Sequence, residues 1–307
     1  LRKGIRIQPI PILLGPTATG KSAVAIALAQ RLNGEILCAD ARTVYVGMDV
    51  GTAKPTAHER ALVPHHLLDI CDPTEVYDAQ RFRQDVSALI PSIQARGKRP
   101  IIVGGTTLYV QALTEGLFEG VSADRALRWK LNEVPLEQLY TRLQAVDPQA
   151  ALDIKPNDRI RITRALEVYE KTGQPISRLQ LQAEPLPYAF KKFGLTLART
   201  MLYERINRRV DWMIEQGLVE EARRLHPHLT PDLPAYKTIG YQELFEHFDG
   251  KCPLEQAIGN IKQHTRNYAK RQLTWHRRDS AIVWIDVERK IVDEIVVSIC
   301  RCLNNIH

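Results

Sequence analysis

The stretch GPTATGKS, from Gly15 to Ser22, fits the spacing Gly-x-x-x-x-Gly-Lys-Ser of a phosphate-binding loop. Gly15 and Gly20 permit a backbone that turns several N–H groups inward, and Pro16, Thr17, Ala18 and Thr19 fill the turn between them. A helix beginning after the loop would add its positive dipole end at the same point. Lys21 supplies a compact mobile charge, and the Ser22 hydroxyl can ligate Mg²⁺. The loop alone leaves the guest open between a nucleoside triphosphate such as ATP and another pyrophosphate.

Two further places carry chemistry near a strand end. Asp40 closes the run EILCAD, where open parallel sheets place their ligands. It reads as a magnesium-side acid, as a general base facing the phosphate loop, or as a turn cap. In VGGTTLY (Val103–Tyr109), Gly104 and Gly105 allow close approach of a substrate, and Thr106 and Thr107 offer hydroxyls. One of those threonines serves equally as an ordinary helix N-cap. Lys54, in the glycine- and proline-punctuated MDVGTAKP, is an anion contact or a solvated charge. Arg205 and Arg209 stand one helical turn apart and share a face, either toward an anion or paired with Glu204 or Asp211.

These groups need elements to hold them. Ile10–Leu14 is short, apolar and bounded by proline and glycine, as a buried parallel strand is. A helix is expected over Ser22–Leu32, strands over Glu35–Asp40, His65–Ile70 and Arg99–Thr106, and a helix over Gln80–Arg96 interrupted at Pro91. From about Phe118 to Pro187 no convincing strand occurs, and helices are expected at Ala126–Glu133, Leu136–Ala145 and Asp158–Thr172. The strand pattern resumes at Lys191–Ala198. One long helix follows over Leu202–Arg224 with Gly217 its weak point, then helices at Ile258–Arg278 and Val287–Asn304 flanking a strand at Ala281–Asp286. The expected fold is α/β: a P-loop NTPase-like parallel sheet over residues 1–118 and 189–307, with a helical insertion over 119–188.

The chain has 307 residues, 44% hydrophobic and 25% charged, an ordinary composition for a soluble globular protein. A formal charge of +7 favours a polyanionic partner without deciding for one. The five cysteines are odd in number and form no CxxC pair, so reduced cytoplasmic thiols are expected rather than disulfides or a zinc ribbon. No apolar run approaches the length of a membrane span. The basic start LRKGIRI leads into the loop without a cleavage-type site, so no signal peptide is expected, and with no initial Met a natural start upstream is expected.

GPTATGKS, GMDVGTAKP, PHHLLDI, VGGTTLY, NDRIRITRALEVYEKTG, LYERINRRVDWMIEQGLVEEA, TIGYQE and YAKRQLTW occur in an order that resembles the bacterial tRNA dimethylallyltransferases (tRNA isopentenyltransferases) from about Ile12 to Trp275. The resemblance implies transfer of the dimethylallyl group of dimethylallyl diphosphate to N6 of the adenosine on the 3′ side of the anticodon, in tRNAs reading codons that begin with U. It implies that Gly15–Ser22 hold the diphosphate with Mg²⁺ near Ser22, that Thr17 contacts phosphate, and that Asp40 is the base. It implies further that Thr106 touches the adenosine and that Arg205 or Arg209 reaches the diphosphate. Contacts to the anticodon stem-loop are implied for Asp40, Ala41, Arg42 and Thr43, for Ile160, Arg161, Ile162, Thr163 and Arg164, and for Lys237, Thr238, Ile239, Gly240, Tyr241 and Gln242.

The chain departs from the family where Ala41-Arg42-Thr43 replace the usual Ser and Gln after the acid, and where His276 replaces an aromatic. A cytoplasmic monomer is expected. The rivals are an adenylate isopentenyltransferase acting on free AMP, ADP or ATP, an unrelated P-loop kinase or ATPase, and a non-catalytic RNA-binding GTPase-like module. The basic helical insertion and the TIGYQE and YAKRQLTW segments, which a free-nucleotide enzyme does not need, weigh against the first. The missing NKxD-type signature weighs against the last.

Overall fold

The computed structural model describes residues 8–118, 121 and 123–304. The basic start LRKGIRI and the expected insertion boundary at 119 lie outside the described residues. The chain divides into two compact units, one formed by Leu1–Val110 with Pro187–His307 and the other by Gln111–Leu186.

The first unit opens with β1 (Ile10–Leu14), α1 (Lys21–Leu32), β2 (Gly34–Ala39), α2 (Ala57–Leu62), β3 (His65–His66), α3 (Ala79–Ala95) and β4 (Arg99–Gly104). α4 (Thr107–Thr114) leads into the second unit, which holds α5 (Arg125–Glu133), α6 (Leu136–Val146), α7 (Pro148–Asp153), α8 (Arg159–Thr172) and α9 (Ile176–Gln180). The first unit resumes with β5 (Phe190–Thr196), α10 (Arg199–Glu215), α11 (Leu218–Leu225), α12 (Tyr241–Phe248), α13 (Leu254–His276), β6 (Ile282–Asp286) and α14 (Val292–Asn304).

The strands form one parallel sheet in the order β3-β2-β4-β1-β5-β6. β1 and β2 are buried at every position, as strands covered on both faces must be. Leu13, Ile36, Cys38 and Ile101 pack with Val24 and Leu28 of α1 and with Ile295 and Ile299 of α14. Side-chain alternation sends Ile12, Leu37 and Ile102 to the opposite face, where α3 lies against β2 and β4. Because β4 sits between β2 and β1, the loops leaving these three strands are neighbours at one edge. The chain leaving β1 goes to β2 and the chain leaving its neighbour β4 goes to β5, opposite directions along the sheet, and that reversal makes the crevice where open parallel sheets hold ligands.

Several expected boundaries move, each for a local reason. The third strand is only His65–His66, because Leu67 and Asp69 take positive φ of 66° and 54° and end the extended run. α3 runs through Pro91, since Pro91 and Ser87, whose carbonyl loses its donor, both lie on the exposed face. The long helix is broken at Gly217, whose φ of 92° separates α10 from α11.

The second unit contains no strand among the described residues, only an isolated bridge between Leu117 and Glu184. Leu131, Leu139, Leu143, Ile162, Leu166 and Val168 form its core. Glu167, fully buried, accepts from Arg128, Arg164 and the Asp124 amide, so its charge is paired and hydrogen-bonded.

Candidate active site

A cavity of about 520 Å³ opens in the first unit at the edge where the loops after β1, β2 and β4 meet. Gly15, Ala18 and Gly20 all take positive φ, at 145°, 66° and 90°. That pattern folds the loop into a concave cradle of amides at the N-terminus of α1. For Ala18 the left-handed conformation costs about 1 kcal/mol, strain of the kind that functional loops carry. Thr19 braces the turn by donating to the Pro16 carbonyl at 2.8 Å. Lys21 Nζ donates to the carbonyls of Gly15 and Pro16, both at 2.8 Å. Burial, helped by the Arg209 charge, pulls the Lys21 ammonium down to about 7, with Asp40 opposing. An anion in the cradle would reverse that shift. The Ser22 hydroxyl lies on the exposed rim of the same cavity.

Asp40 and Thr106 line the same cavity as the loop. The Asp40 Oδ1 accepts from the Arg42 amide at 2.8 Å, an Asx-type turn that fixes the carboxylate. Thr106 Oγ1 accepts from the Ala41 amide at 3.0 Å, and the Thr106 amide donates to Ala39. Thr106 therefore fastens the end of β4 to the end of β2 and sets where Asp40 points. Tyr268 of α13 also lines the cavity and is held as a neutral phenol, pushed up to about 12 by burial and the Asp40 charge. Burial also pushes the Cys38 thiol up to about 12, which makes it inert.

Of Arg205 and Arg209 on α10, Arg209 lines the cavity and Arg205 does not. Arg209 Nη1 donates to Thr17 Oγ1 at 3.2 Å, so its guanidinium stands over the cradle. Burial works against its charge and Asp40 works for it.

Other residues singled out in the sequence have structural partners. Lys54 is neither an anion contact nor a solvated charge: it is buried, donates to the Tyr45 carbonyl and to Asp49 at 2.7 Å, and pairs with Asp69. Gly51, Thr52, Ala53 and Pro55 of the same loop do line the cavity. Arg42 donates to the Pro234 carbonyl at 2.5 Å, so the cation that distinguishes this chain ties the Asp40 loop to the segment before α12. The Thr43 hydroxyl is buried with no hydrogen-bond partner among the described residues. Lys237, Thr238, Ile239 and Gly240 line the cavity. Tyr241 is a correction: its ring is fully buried, and its hydroxyl donates to Glu221 at 2.6 Å. It supports the loop instead of facing a ligand. Gln242 is half-buried on α12 and is not part of the lining.

In the second unit, Ile160 and Arg161 stand exposed on α8. Ile162 and Thr163 are corrected to core positions, because they lie on the α8 stripe buried within that unit. Arg164 is tied to Glu167 at 2.6 Å and to the Val121 carbonyl at 2.8 Å.

Two site residues carried no role in the sequence reading. Gln272, buried on α13, accepts from the Thr17 amide at 3.1 Å and donates to the Gly105 carbonyl at 2.9 Å. Glu221, buried at the start of α11, accepts from the amides of Asp49, Val50 and Gly51 at 2.9, 2.9 and 3.0 Å. Both bind backbone far away in sequence, which no local pattern announces.

The model of the IPP transferase family matches residues 43–279. A tRNA dimethylallyltransferase of Geobacter metallireducens is 49% identical over 287 residues, covering 91% of this chain and 93% of its own length. That of Geobacillus thermodenitrificans is 46% identical over 286 residues, 91% of each. Among solved structures, the full-length tRNA isopentenylpyrophosphate transferase of Bacillus halodurans is 40% identical with a TM-score of 0.74, covering 97% of this chain and 96% of that one. A eukaryotic dimethylallyltransferase acting on tRNA is 30% identical with a TM-score of 0.79, covering 92% of this chain and 74% of that one.

Proposed function

The chain belongs to the IPP transferase family, and from that premise we propose that it acts as a tRNA dimethylallyltransferase through the one cavity shared by the phosphate loop and Asp40. The donor is dimethylallyl diphosphate and the acceptor is N6 of the adenosine on the 3′ side of the anticodon, in tRNAs reading codons that begin with U. The carrying observation is that Lys21, Thr17 and Arg209 line the same cavity as Asp40 and Thr106, with the Asp40 charge close enough to act on both Lys21 and Arg209.

Charge grows on the diphosphate as its bond to the allylic carbon breaks, and stabilising that charge is the main catalytic task. The amide cradle, Lys21 and Arg209 meet it. The N6 lone pair forms the new C–N bond, and the N6 proton passes to Asp40. With Oδ1 held by the Arg42 amide, Oδ2 is the oxygen that takes it. An allylic carbon ionises readily, so a loose displacement places more weight on the diphosphate grip than on the base.

Ser22 offers a hard oxygen to Mg²⁺ at the rim of the cradle. Among the described residues no group of three or more His, Cys, Asp or Glu could hold a metal. The ion would therefore take most of its ligands from diphosphate and water, as Mg²⁺ commonly does beside phosphates. Bound there, it would neutralise part of the leaving group's charge.

No helix among the described residues is long and apolar enough to cross a membrane. A cytoplasmic monomer with free cysteine thiols completes the reading.

The test is incubation with dimethylallyl diphosphate, Mg²⁺ and either unmodified tRNA or AMP, followed by mass analysis of the digested nucleosides. Prenylated adenosine from tRNA and none from AMP is the expected result. Product from AMP alone would overturn it in favour of a free-nucleotide enzyme. Phosphate release from ATP without a prenyl donor would favour a kinase or ATPase.

A further inference from the structure

Gln272 spans the two glycine turns of the site. Its Oε1 accepts from the Thr17 amide at 3.1 Å, inside the phosphate loop. Its Nε2 donates to the Gly105 carbonyl at 2.9 Å, one residue before Thr106. The amide can face only one way, because the flipped orientation would set donor against donor and acceptor against acceptor. The side chain is buried, so neither bond competes with bulk water.

Gly105 is shaped around this contact. A Cβ built on it would collide with Nε2 of Gln272 and would stand at an ordinary 3.4 Å from the Gly15 carbonyl. The two turns thus lie against each other, with the Gln272 amide the nearest group to the side-chain position at 105. Gly105 is not among the residues of positive φ, so its backbone does not itself demand glycine. What excludes a side chain at 105 is Gln272.

We propose that Gln272 is a positioning residue that sets the separation between the diphosphate cradle and the Thr106–Asp40 wall. Thr106 in turn holds the Ala41 amide, so the Gln272–Gly105 bond fixes the base against the leaving group. The role rests on the prenyl-transfer reading given above. Each half-site keeps its own ligand groups when Gln272 is changed: Lys21 and Arg209 on one side, Asp40 and Thr106 on the other. Loss of the span therefore acts on the chemical step and not on either affinity, because a misplacement of about 1 Å costs about 100-fold in rate.

Four variants test it against wild type: Gln272→Glu, Gln272→Ala, Gly105→Ala and the Gly105→Ala/Gln272→Ala pair. Gln272→Glu keeps the acceptor for the Thr17 amide and turns a carboxylate on the Gly105 carbonyl. It is expected to lower kcat by about 10- to 100-fold, with KM for donor and tRNA each within about threefold. Gly105→Ala alone is expected to lose a similar amount. In the Gln272→Ala background the same alanine should cost less than about twofold, because the obstructing amide is gone. Wild-type kcat in Gln272→Glu, or Gly105 and Gln272 penalties that simply multiply, would overturn the proposal. So would variants that lose thermal stability while each folded molecule keeps wild-type turnover. If wild type itself prenylates no tRNA, the functional reading fails instead. The Gly105–Gln272 coupling then remains readable as a melting-temperature cycle, where additive losses would remove the clamp as well.

Discussion

The Tyr241 hydroxyl donates to Glu221 Oε1 at 2.6 Å, and both side chains are buried. Glu221 also gathers the amides of Asp49, Val50 and Gly51, and the Gly51 backbone lies so close to the Tyr241 ring that a Cβ there would reach it at 2.5 Å. The pair thus builds the loop whose Gly51, Thr52 and Ala53 line the cavity. Burial and the Glu221 charge together raise the Tyr241 phenol, which stays a donor.

Tyr241→Phe should lower unfolding stability by about 1 kcal/mol, the loss of one hydrogen bond, and leave KM for tRNA unchanged. Glu221→Ala should lower it by about 3 kcal/mol or more, because three loop amides and a hydroxyl lose their acceptor. Urea unfolding with steady-state kinetics checks both. A Tyr241→Phe enzyme of full stability but poor tRNA affinity would place the ring at the RNA.

The arginines of α10 should separate cleanly. Arg209→Ala removes a cation over the cradle and is expected to lower kcat by about 100-fold, the usual cost of losing one group that stabilises developing charge. Arg205→Ala, outside the cavity, should change it less than about threefold. Equal losses in the two variants would contradict the placement of Arg209.

Lys21 titrates near pH 7 in the free protein and should be held charged once diphosphate is bound. The complex then carries more protons than the free protein above pH 7, so binding takes up a proton and affinity falls as pH rises through and above that value. The fall approaches about tenfold per pH unit, less whatever pyrophosphate itself titrates. Calorimetry in two buffers of different ionisation enthalpy counts the protons. Lys21→Arg, charged throughout, should take up fewer. Identical uptake in the two proteins would show that Lys21 is already charged when free.

His276 is buried with no partner for Nε2 among the described residues, and burial, aided by the Lys21 charge, pulls its imidazole down to about 4 from an ordinary 6.5. The unfolded chain binds the proton more readily, so the stability this neutral histidine permits is present above pH 6.5. It is lost as pH falls toward 4, by about 3 kcal/mol if the whole shift is realised. His276→Phe should flatten this acid limb in a pH series of urea melts. An unchanged limb would assign acid unfolding to other groups.

Much of the site was legible because its parts are local. Gly15–Ser22 carry their own fold in their spacing, and Asp40 and Thr106 announce themselves at strand ends. The strands of the sheet centre are continuous apolar runs, and Ile10–Leu14 is found at its expected bounds. Legibility stopped where a role depends on distant backbone. Gln272 and Glu221 act through bonds to residues across the chain, and Lys54 is buried by Asp49 and Asp69, which no pattern along MDVGTAKP reveals. The helical stripe of α8 shows the same limit from the other side. A motif five residues long mixes the exposed Ile160 and Arg161 with the buried Ile162 and Thr163, since only one face of a helix meets solvent.

The central claim, one cavity that grips a leaving diphosphate and holds a base for the incoming amine, is tested most directly by Asp40→Asn. Single-turnover transfer to saturating tRNA should slow by about 100- to 10,000-fold, while pyrophosphate binds within about threefold of wild type. A transfer rate equal to wild type would remove Asp40 as the base. An affinity for pyrophosphate that falls as far as the rate would contradict the division of labour between the cradle and the carboxylate.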